Sequence, residues 1–369
     1  NKNFDIYFDY GSSKIRTAAI NKNNLKNKYF HESDYFYDED NAESEIEKII
    51  LNIEKSTNEY LENINVMMDS PKMLSISLSL SKSFDGSKLK KNDVKFLVQD
   101  AKQQILGNHK HLSIMHIIIK KYMINNIEYS FLPENVNCNL LSIDIIFICL
   151  PKEIIENLKK IFLKFDISID QILCASYIKS LNYKENFYFD ENLCFVDIGF
   201  NKTSIIFYNK NEIAFFHVLP IGSNHITKDL SKVLDLDLIT SEKIKLYFNN
   251  DVNILQYKQI SIDLAQQIIF SRVEEILKLS VESIKLNVAS NQSSQFKMVL
   301  IGKGSSILDS KFIKKNSFTC EIEIFDETLD SICESFQRLN DALNKQEVVM
   351  IPKKLIKKGF FEKLFHFFK

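Results

Sequence analysis

The sequence predicts an α/β protein built from two similar halves, and three glycine turns carry this prediction. The first turn, Asp9-Tyr10-Gly11-Ser12-Ser13-Lys14, and the second, Asp197-Ile198-Gly199-Phe200-Asn201-Lys202, each join two apolar runs, the pattern of a β-hairpin with glycine at the bend. The third, Gly302-Lys303-Gly304-Ser305, follows a further apolar run. Such turns present backbone N–H groups to an anion, and a neighbouring Asp can hold a hydrated divalent cation. The three turns together predict a nucleotide clamped between duplicated halves.

Length, composition and charge are those of an ordinary folded protein. The 369 residues leave room for about two domains, each with its own core. The hydrophobic share of 45% and the charged share of 26% are typical of soluble globular chains. The six cysteines form no Cys-x-x-Cys pair and indicate buried reduced thiols of a cytosolic protein. A net charge of −1, with an acidic body, argues against a nucleic-acid partner.

Periodicity predicts the elements of the first half. A helical stripe of apolar residues runs from Ile46 to Ile64, and residues 74–81 alternate Leu or Ile with Ser, which indicates a half-buried strand. Pro151 begins an amphipathic helix. Between these segments we expect a small α+β insertion made of one helix and two strands, at about 92–106, 113–119 and 140–150.

The second half repeats this plan. A hairpin at 193–208 and a strand at 213–219 precede a mostly helical stretch at 223–290, and a last strand leads into the third glycine turn. The repeated order of strand, hairpin and helix predicts an internal duplication.

Several motifs resemble one superfamily. Two hairpins with phosphate-loop character and a late strand–Gly–x–Gly turn resemble the actin, sugar-kinase and heat-shock ATPase superfamily. Within it the chain resembles FtsA, the bacterial cell-division actin homologue, over nearly its whole length. The first hairpin with its Lys14, the stretch from Pro220 through Gly222 to Asp229, and the turn Glu242-Lys243-Ile244-Lys245 are similar to FtsA motifs. The segment 165–172 is similar, less specifically, to the family's segment that leads into the second half.

The resemblance implies an actin-like duplicated fold in which two lobes flank a nucleotide cleft. It also places the insertion where FtsA carries its distinctive subdomain. The implied parts are a first core (1–81 and 151–192), the inserted subdomain (82–150), a second core (193–222 and 299–345), a helical lobe (223–298), a linker (346–354) and a terminal helix (355–369).

The implied cofactor is ATP with Mg²⁺. Asp9 and Asp197 would place the hydrated metal. The phosphates would face Gly11, Ser12, Ser13, Lys14, Gly199 and Thr203, and the nucleoside would face Glu242, Lys245, Gly302 and Gly304. Lys202, Gly222 and Ser305 complete the predicted cofactor-binding set.

The second turn departs from the family pattern Asp-Ile-Gly-Gly-Gly-Thr-Thr-Asp. Phe200, Asn201 and Lys202 replace two glycines and a threonine, and Ser204 replaces the last acid. Phe200 restricts the approach of backbone N–H groups to the phosphates, and Lys202 can compensate as a point charge. The departures predict nucleotide binding with at most weak hydrolysis.

The terminal segment 355–369 has the pattern of an amphipathic helix. At about 100° per residue, one half of the helical wheel is apolar and the other carries Lys. This pattern is typical of a helix in a membrane interface, and a helix docked on the body is the alternative. FtsA also ends in such a helix. The predicted membrane-binding residues are Ile356, Phe360, Phe361, Leu364, Phe365, Phe367 and Phe368 on the apolar half, with Lys358 and Lys363 towards the headgroups.

The resemblance and the terminal segment together predict a non-metabolic adaptor. It would polymerise at the cytoplasmic face of the cell membrane and tether the tubulin-like protein FtsZ at the division septum. Its partners would be the FtsZ C-terminal peptide, further copies of itself, anionic lipid and other division proteins. Arg272, Lys278 and Lys285 are the predicted peptide-binding residues. The alternatives are an actin-like protein of type IV pilus assembly and a superfamily kinase or ATPase.

Overall fold

The first half begins with a three-stranded meander and a helix. The computed structural model describes residues 2–34, 39–133, 135–187, 192–210, 212–247, 261–288, 295–308 and 320–337. The first elements along the chain are β1 (Phe4–Tyr10), β2 (Lys14–Asn21), β3 (Lys28–Asp34), α1 (Glu39–Thr57) and β4 (Asn63–Met68). Strands β1 and β2 form the predicted hairpin, with Asp9 opposite Arg16, and β1 pairs in parallel with β4.

Helix α1 is shorter than the apolar stripe predicts. It ends at Thr57, where Asn58 takes a φ of 56°, in the left-handed region that stops helices. Tyr60 is 82% exposed, and Ile64 lies in β4. The prediction that the helical stripe extends to Ile64 is therefore wrong, because Ile64 belongs to strand β4.

An inserted subdomain follows β4. Its elements are β5 (Leu74–Ser83), α2 (Lys91–Asn108), β6 (Leu112–Ile124), β7 (Ile127–Tyr129) and β8 (Leu140–Pro151). They form a four-stranded sheet in the order β5-β8-β6-β7, with its own apolar core against α2. The sequence assigned residues 74–81 to the first core, but β5 pairs along its whole length with β8. Strand β5 therefore belongs to the inserted sheet.

The first half closes with α3 (Lys152–Leu163), β9 (Ser168–Cys174) and α4 (Ala175–Tyr183). Pro151 is the N-cap of α3, in agreement with the prediction. Strand β9 pairs in parallel with β4, so the first five-stranded sheet has the order β3-β2-β1-β4-β9.

The second half repeats this topology. Its elements are β10 (Leu193–Ile198), β11 (Thr203–Asn209), β12 (Glu212–Leu219), α5 (Ser223–Leu234), α6 (Leu238–Tyr247), α7 (Ile262–Asn287), β13 (Lys297–Ile301), β14 (Glu321–Ile324) and α8 (Leu329–Gln337). The second sheet has the order β12-β11-β10-β13-β14, which matches the first sheet strand for strand. The predicted internal duplication is confirmed.

Alternation along β10 shows how the halves join. Phe195 belongs to the large core that also holds the first sheet, α1 and α4, while Cys194 and Val196 face the core built with α5 and α7. Since side chains alternate across a strand, one strand serves both cores. The two halves are therefore continuous through buried apolar side chains.

Candidate functional site

The carboxyl ends of the central strands of both sheets meet at one cavity of about 470 Å³. Asp9 lies near the end of β1, Asp69 directly follows β4, and Asp197 is next to last in β10. Gly302 directly follows β13. In open α/β sheets ligands bind outside the carboxyl ends of strands, so the duplicated topology makes this cavity the candidate site.

Most of the predicted cofactor residues line this cavity. Those that do are Asp9, Gly11, Ser12, Ser13, Lys14, Asp197, Gly199, Lys202, Glu242, Lys245 and Gly302. The structure thus brings residues more than 290 positions apart to one place, as the turn pattern predicts. Their individual assignment to phosphate or nucleoside stays a prediction.

Four predicted residues do not line this cavity, and three of them have structural partners. The hydroxyl of fully buried Thr203 donates to the Ile221 carbonyl at 2.7 Å. At Gly222 an added Cβ would stand 2.6 Å from the Phe200 carbonyl oxygen, so this glycine lets α5 approach the second turn. Gly304 packs equally closely against Ile198. Ser305 lines an adjacent cavity of about 290 Å³.

The first turn is held by ion pairs of its own. The Gly11 N–H donates to the Lys14 carbonyl at 3.1 Å and closes the bend. The Lys14 ammonium lies 3.1 Å from Glu32 and 3.4 Å from Asp34, both on β3. The buried Asp9 carboxylate lies 2.6 Å from Nη2 of Arg16, its partner across the hairpin. The charges of this turn are therefore neutralised within the chain.

Lys202 places its ammonium group between two strand ends. Its Nζ lies 2.5 Å from Oδ2 of Asp69, 3.3 Å from Oδ2 of Asp197 and 2.8 Å from Oγ of Ser204. An ammonium group has three N–H donors, and these three acceptors use all of them. Lys202 therefore joins Asp69 of the first half to Asp197 of the second, instead of pointing freely at a ligand.

Lys179, on α4, joins further elements at the same place. Its Nζ lies 3.0 Å from Oδ2 of Asp197 and 3.0 Å from Oε1 of Glu327. The other oxygen of Glu327 accepts the Gly302 N–H at 2.8 Å, and the Tyr183 hydroxyl donates to Oε1 at 3.0 Å. One buried network thus ties α4, β10, the turn after β13 and the segment after β14.

The ionisation of this network follows from its geometry. Burial by itself would raise the pKa of Asp197, but the ammonium groups of Lys179 and Lys202 outweigh burial and hold that pKa well below its usual range. Burial would likewise lower the pKa of both lysines, and the facing carboxylates instead raise it. All three groups are therefore charged around neutral pH.

A second buried pair lies on the helical side of the cavity. The Lys245 ammonium lies 2.8 Å from Oε2 of Glu242, 3.0 Å from Oγ1 of Thr227 and 3.2 Å from the Ser223 carbonyl. Burial lowers the pKa of Lys245, and Glu242 opposes that shift. The Phe200 ring lies 5.3 Å from the same ammonium, a cation–π distance. Phe200 thus forms the wall of the cavity on this side.

The carboxylates near the cavity do not fit a divalent metal ion. Asp9 is paired with Arg16, Asp69 with Lys202, and Asp197 with two ammonium groups. Within the described ranges, no three His, Cys, Asp or Glu side chains cluster as possible metal ligands. An Mg²⁺ ion at Asp9 or Asp197, which the sequence predicts, would have to displace a cation that the chain already supplies there.

Sequence reasoning missed four members of the site: Arg16, Asp69, Lys179 and Glu327. Asp69 had a usable signal, since it follows an apolar strand as Asp9 and Asp197 nearly do. Lys179 is the lone charge in the stretch 175–183, a weaker signal for a buried ion pair. Arg16 and Glu327 carry no local signal, because only the sheet register brings Arg16 to the cavity and only the packing of α8 brings Glu327 to the adjacent one.

The predicted peptide-binding residues differ in how far their charged groups already contact other residues of the chain. The Arg272 guanidinium makes a bidentate pair with Asp229 of α5, at 2.6 and 3.0 Å, and also contacts Glu275. Lys278 is 65% exposed and contacts Glu274 one turn away, and Lys285 is exposed. Arg272 therefore docks α7 on α5, while the two lysines face outwards.

The terminal segment 355–369 and its predicted membrane-binding residues lie outside the described residues. In the part of the chain that is described, no helix is long and apolar enough to cross a membrane.

Comparison with known proteins supports one family. Residues 194–306 match the family model of the cell division protein FtsA. The FtsA of Helicobacter pylori is 28% identical over 145 residues, covering 39% of this chain and 29% of the relative. The FtsA of Buchnera aphidicola subsp. Baizongia pistaciae is 26% identical over 217 residues, covering 53% and 49%. The chain therefore spans less than half the length of these curated relatives.

A solved structure agrees with the topology. The PilM–PilN type IV pilus biogenesis complex contains a chain that aligns with a TM-score of 0.58 and 11% identity, over 92% of this chain and 96% of that chain. Identity this low shows the fold alone. With its duplicated five-stranded sheets and the match at residues 194–306, the chain has the actin-like fold and is related in sequence to the cell division protein FtsA.

Proposed function

We propose that this chain is an actin-like cell-division protein that binds a nucleotide in the cavity between its halves and links FtsZ to the membrane. The observation that carries the proposal is the coincidence of the FtsA-matching residues with the cavity. The matched segment 194–306 contains Asp197, Gly199, Glu242 and Gly302, which all line it. The cavity, of about 470 Å³, has the size of ordinary small-molecule sites.

The role of the nucleotide in this proposal is structural. The second turn carries Phe200 and Lys202 where the family pattern has glycine and threonine, and Lys202 uses its donors on Asp69, Asp197 and Ser204. A nucleotide in the cavity would contact turns of both sheets and so hold the two halves in one arrangement. We propose that this arrangement favours polymerisation, with hydrolysis weak at most.

Membrane attachment in this proposal depends on segment 355–369. Each fully buried apolar side chain contributes about 1.5–3 kcal/mol at most, and each Lys near an anionic leaflet about 1 kcal/mol. A single such helix binds reversibly, and a filament that carries many binds by avidity. The location that follows is the cytoplasmic face of the cell membrane at the division septum.

The FtsZ peptide is proposed to bind the outer face of α7. Lys278 and Lys285 are exposed there, and Leu286 beside them is 84% exposed. Residues seven apart lie on the same side of a helix, so the two lysines share one face, with Leu286 beside them. Glu274 and exposed Glu282 lie on that face too, and in this proposal an acidic peptide with apolar side chains replaces Glu274 as the partner of Lys278. Arg272 stays a predicted contact, although its guanidinium already binds Asp229.

The alternative function is that of a type IV pilus assembly protein. It is supported by the alignment with the PilM–PilN complex, which shows a shared fold. The Phe-rich, Lys-rich terminal segment favours the division protein, because the resemblance to FtsA implies such a terminal helix. A superfamily kinase or ATPase would have no use for it.

One recruitment experiment tests both attachments. Vesicles containing phosphatidylglycerol are sedimented with the full chain and a fluorescent FtsZ C-terminal peptide. We expect the parent chain to bring the peptide into the pellet. The variant Phe361→Glu/Leu364→Glu should no longer bind the vesicles, so the peptide should stay in solution. The variant Lys278→Glu/Lys285→Glu should still bind the vesicles but should no longer bring the peptide into the pellet.

The matched control is Lys159→Glu/Lys160→Glu, which reverses two exposed lysines of α3, far from both proposed surfaces in the sequence. It should behave as the parent. If Phe361→Glu/Leu364→Glu binds vesicles as tightly as the parent, segment 355–369 is a docked helix and the membrane-tether proposal is wrong.

A further inference from the structure

Two lysine ammonium groups stand beside Asp197 at the place where a divalent metal ion would bind. Two ammonium groups, those of Lys179 and Lys202, stand 3.0 and 3.3 Å from the same oxygen, Oδ2. Each carries one positive charge, so together they bring the charge of a divalent ion. Lys202 also lies 2.5 Å from Asp69, so it bridges two carboxylates as a shared cation would.

These ammonium groups cannot easily move aside. The side chains of Lys179 and Lys202 are 4% and 7% exposed. The backbone at Lys202 is confined by Gly222, where an added Cβ would stand 2.7 Å from the Lys202 nitrogen. A divalent ion brought beside these lysines would meet strong repulsion, since charges interact more strongly in a dry interior than in water.

The charges of the cavity are largely balanced within the chain, without a metal. Six basic side chains line it (Lys14, Arg16, Lys179, Lys202, Lys245 and Lys303), against five acidic ones (Asp9, Asp34, Asp69, Asp197 and Glu242), and Glu32 and Glu327 pair with Lys14 and Lys179 from beside it. Among these basic groups, Lys303 is exposed and has no ion pair to a residue in the described part of the chain. Its position in the third turn, at the junction of both cavities, suits a phosphate ligand.

We propose that this cleft binds nucleoside phosphates without a divalent cation. Lys202 and Lys179 supply the charge beside Asp197 that Mg²⁺ would bring, and Lys303 contacts the phosphate. The proposal rests on the nucleotide binding proposed above, and in it side chains of the chain take the place of the Mg²⁺ that the sequence predicts. Lys202 is thereby the residue that determines metal independence.

The test measures ATP binding to the full chain by calorimetry, once with excess Mg²⁺ and once with EDTA. The parent should bind with equal affinity, within about twofold, under both conditions. Lys202→Thr removes the bridging ammonium and restores a hydroxyl. It should bind at least about tenfold more weakly in EDTA and recover when Mg²⁺ is added. Lys303→Ala should weaken binding equally in both conditions.

A second readout does not need the nucleotide. Electron paramagnetic resonance of Mn²⁺ titrated into the chain should show free ion with the parent and bound ion with Lys202→Thr. Lys202→Arg keeps the positive charge and should keep binding in EDTA, which separates the effect of the charge from that of the lysine itself. Recovery of ATP binding by Lys202→Thr in Mg²⁺ shows that the threonine variant is folded. Lys159→Thr, an exposed lysine of α3, should match the parent.

The outcomes separate the two proposals. If the parent binds ATP with Mg²⁺ but loses about tenfold or more of its affinity in EDTA, or if it binds Mn²⁺, metal independence is wrong while nucleotide binding stands. If the parent binds ATP in neither condition, nucleotide binding is wrong and the inference is overturned with it.

Discussion

Removing the Lys179 ammonium should destabilise the whole chain. In Lys179→Met the aliphatic stem remains and the charge is lost. The side chains of Lys179, Asp197 and Glu327 are 4%, 4% and 7% exposed, so the two carboxylates stay buried when their partner is removed. Breaking a buried pair from one side costs about 3–5 kcal/mol of unfolding free energy.

The local contacts decide where in that range the loss falls. Asp197 keeps Lys202 at 3.3 Å, so it is not left without a cation. Glu327 loses its ammonium contact and keeps the Gly302 N–H, the Tyr183 hydroxyl and the nearby positive charge of Arg16. Because one of the two carboxylates is still compensated, we expect a loss near the lower limit, about 3 kcal/mol.

Urea unfolding of the full chain, followed by circular dichroism, measures this loss. The control Lys164→Met removes a lysine that is 57% exposed and paired with Glu43 on the surface, and it should change stability by less than about 1 kcal/mol. The double variant Lys179→Met/Asp197→Asn removes both charges of one pair and should regain part of the loss. A Lys179→Met protein as stable as the control would refute the buried network.

The pKa shifts also give the sign of the pH dependence of the stability difference between the parent and Lys179→Met. The folded pKa of Asp197 is lowered, so its contribution is present above the unfolded value of about 3.9 and is lost as pH falls through the folded pKa. The folded pKa of Lys179 is raised, so its contribution is present below about 10.4 and is lost as pH rises through the folded pKa. Between these limits the difference between parent and Lys179→Met should be constant.

Two further predictions concern backbone and burial. Gly302→Ala should cost more than about 1 kcal/mol, because φ is +86° and the new Cβ would stand 2.2 Å from Oδ1 of Asp197. Gly107→Ala in α2, where nothing lies within 4 Å, should instead stabilise by about 0.5–1 kcal/mol, and urea unfolding of both variants compares them. Burial lowers the pKa of Lys184 to about 8, so the unfolded chain binds more protons above that pH. Stability should therefore rise by up to about 3 kcal/mol between pH 8 and 10, and in Lys184→Met this rise should be absent.

The sequence predicts the strands and turns of this fold well, for a physical reason. Both hairpins combine apolar runs with a glycine bend, and these signals are local. The bends recur as β1–β2 and β10–β11, with Gly11 and Gly199 donating to the carbonyl of the residue three positions on. Local signals failed where two elements share one apolar pattern, as at Tyr60, or where only the pairing partner decides which sheet a strand belongs to, as for β5, which pairs with β8.

The partners of the cavity charges were not predictable in the same way. Lys202 was visible as a departure from the family pattern, and a phosphate contact was the natural inference. Its actual acceptors, Asp69 and Asp197, come from different sheets, and no periodicity reports their distance. Glu327 lines the adjacent cavity and reaches Lys179 only because α8 packs beside α4. Sequence reasoning located the cavity and could not assign its ion pairs.

Duplication itself explains why the chain needs these cations. Each half ends a central strand with an acid, so folding gathers Asp9, Asp69 and Asp197 around one cavity, and Glu327 joins them from the end of the second sheet. Buried carboxylates this close repel one another unless positive charge lies between them. Here Arg16, Lys179 and Lys202 lie between them. Any ligand of this cleft therefore meets acids that are already neutralised, and its affinity should depend on the groups that are left, Lys303 and the turn backbones, more than on a metal.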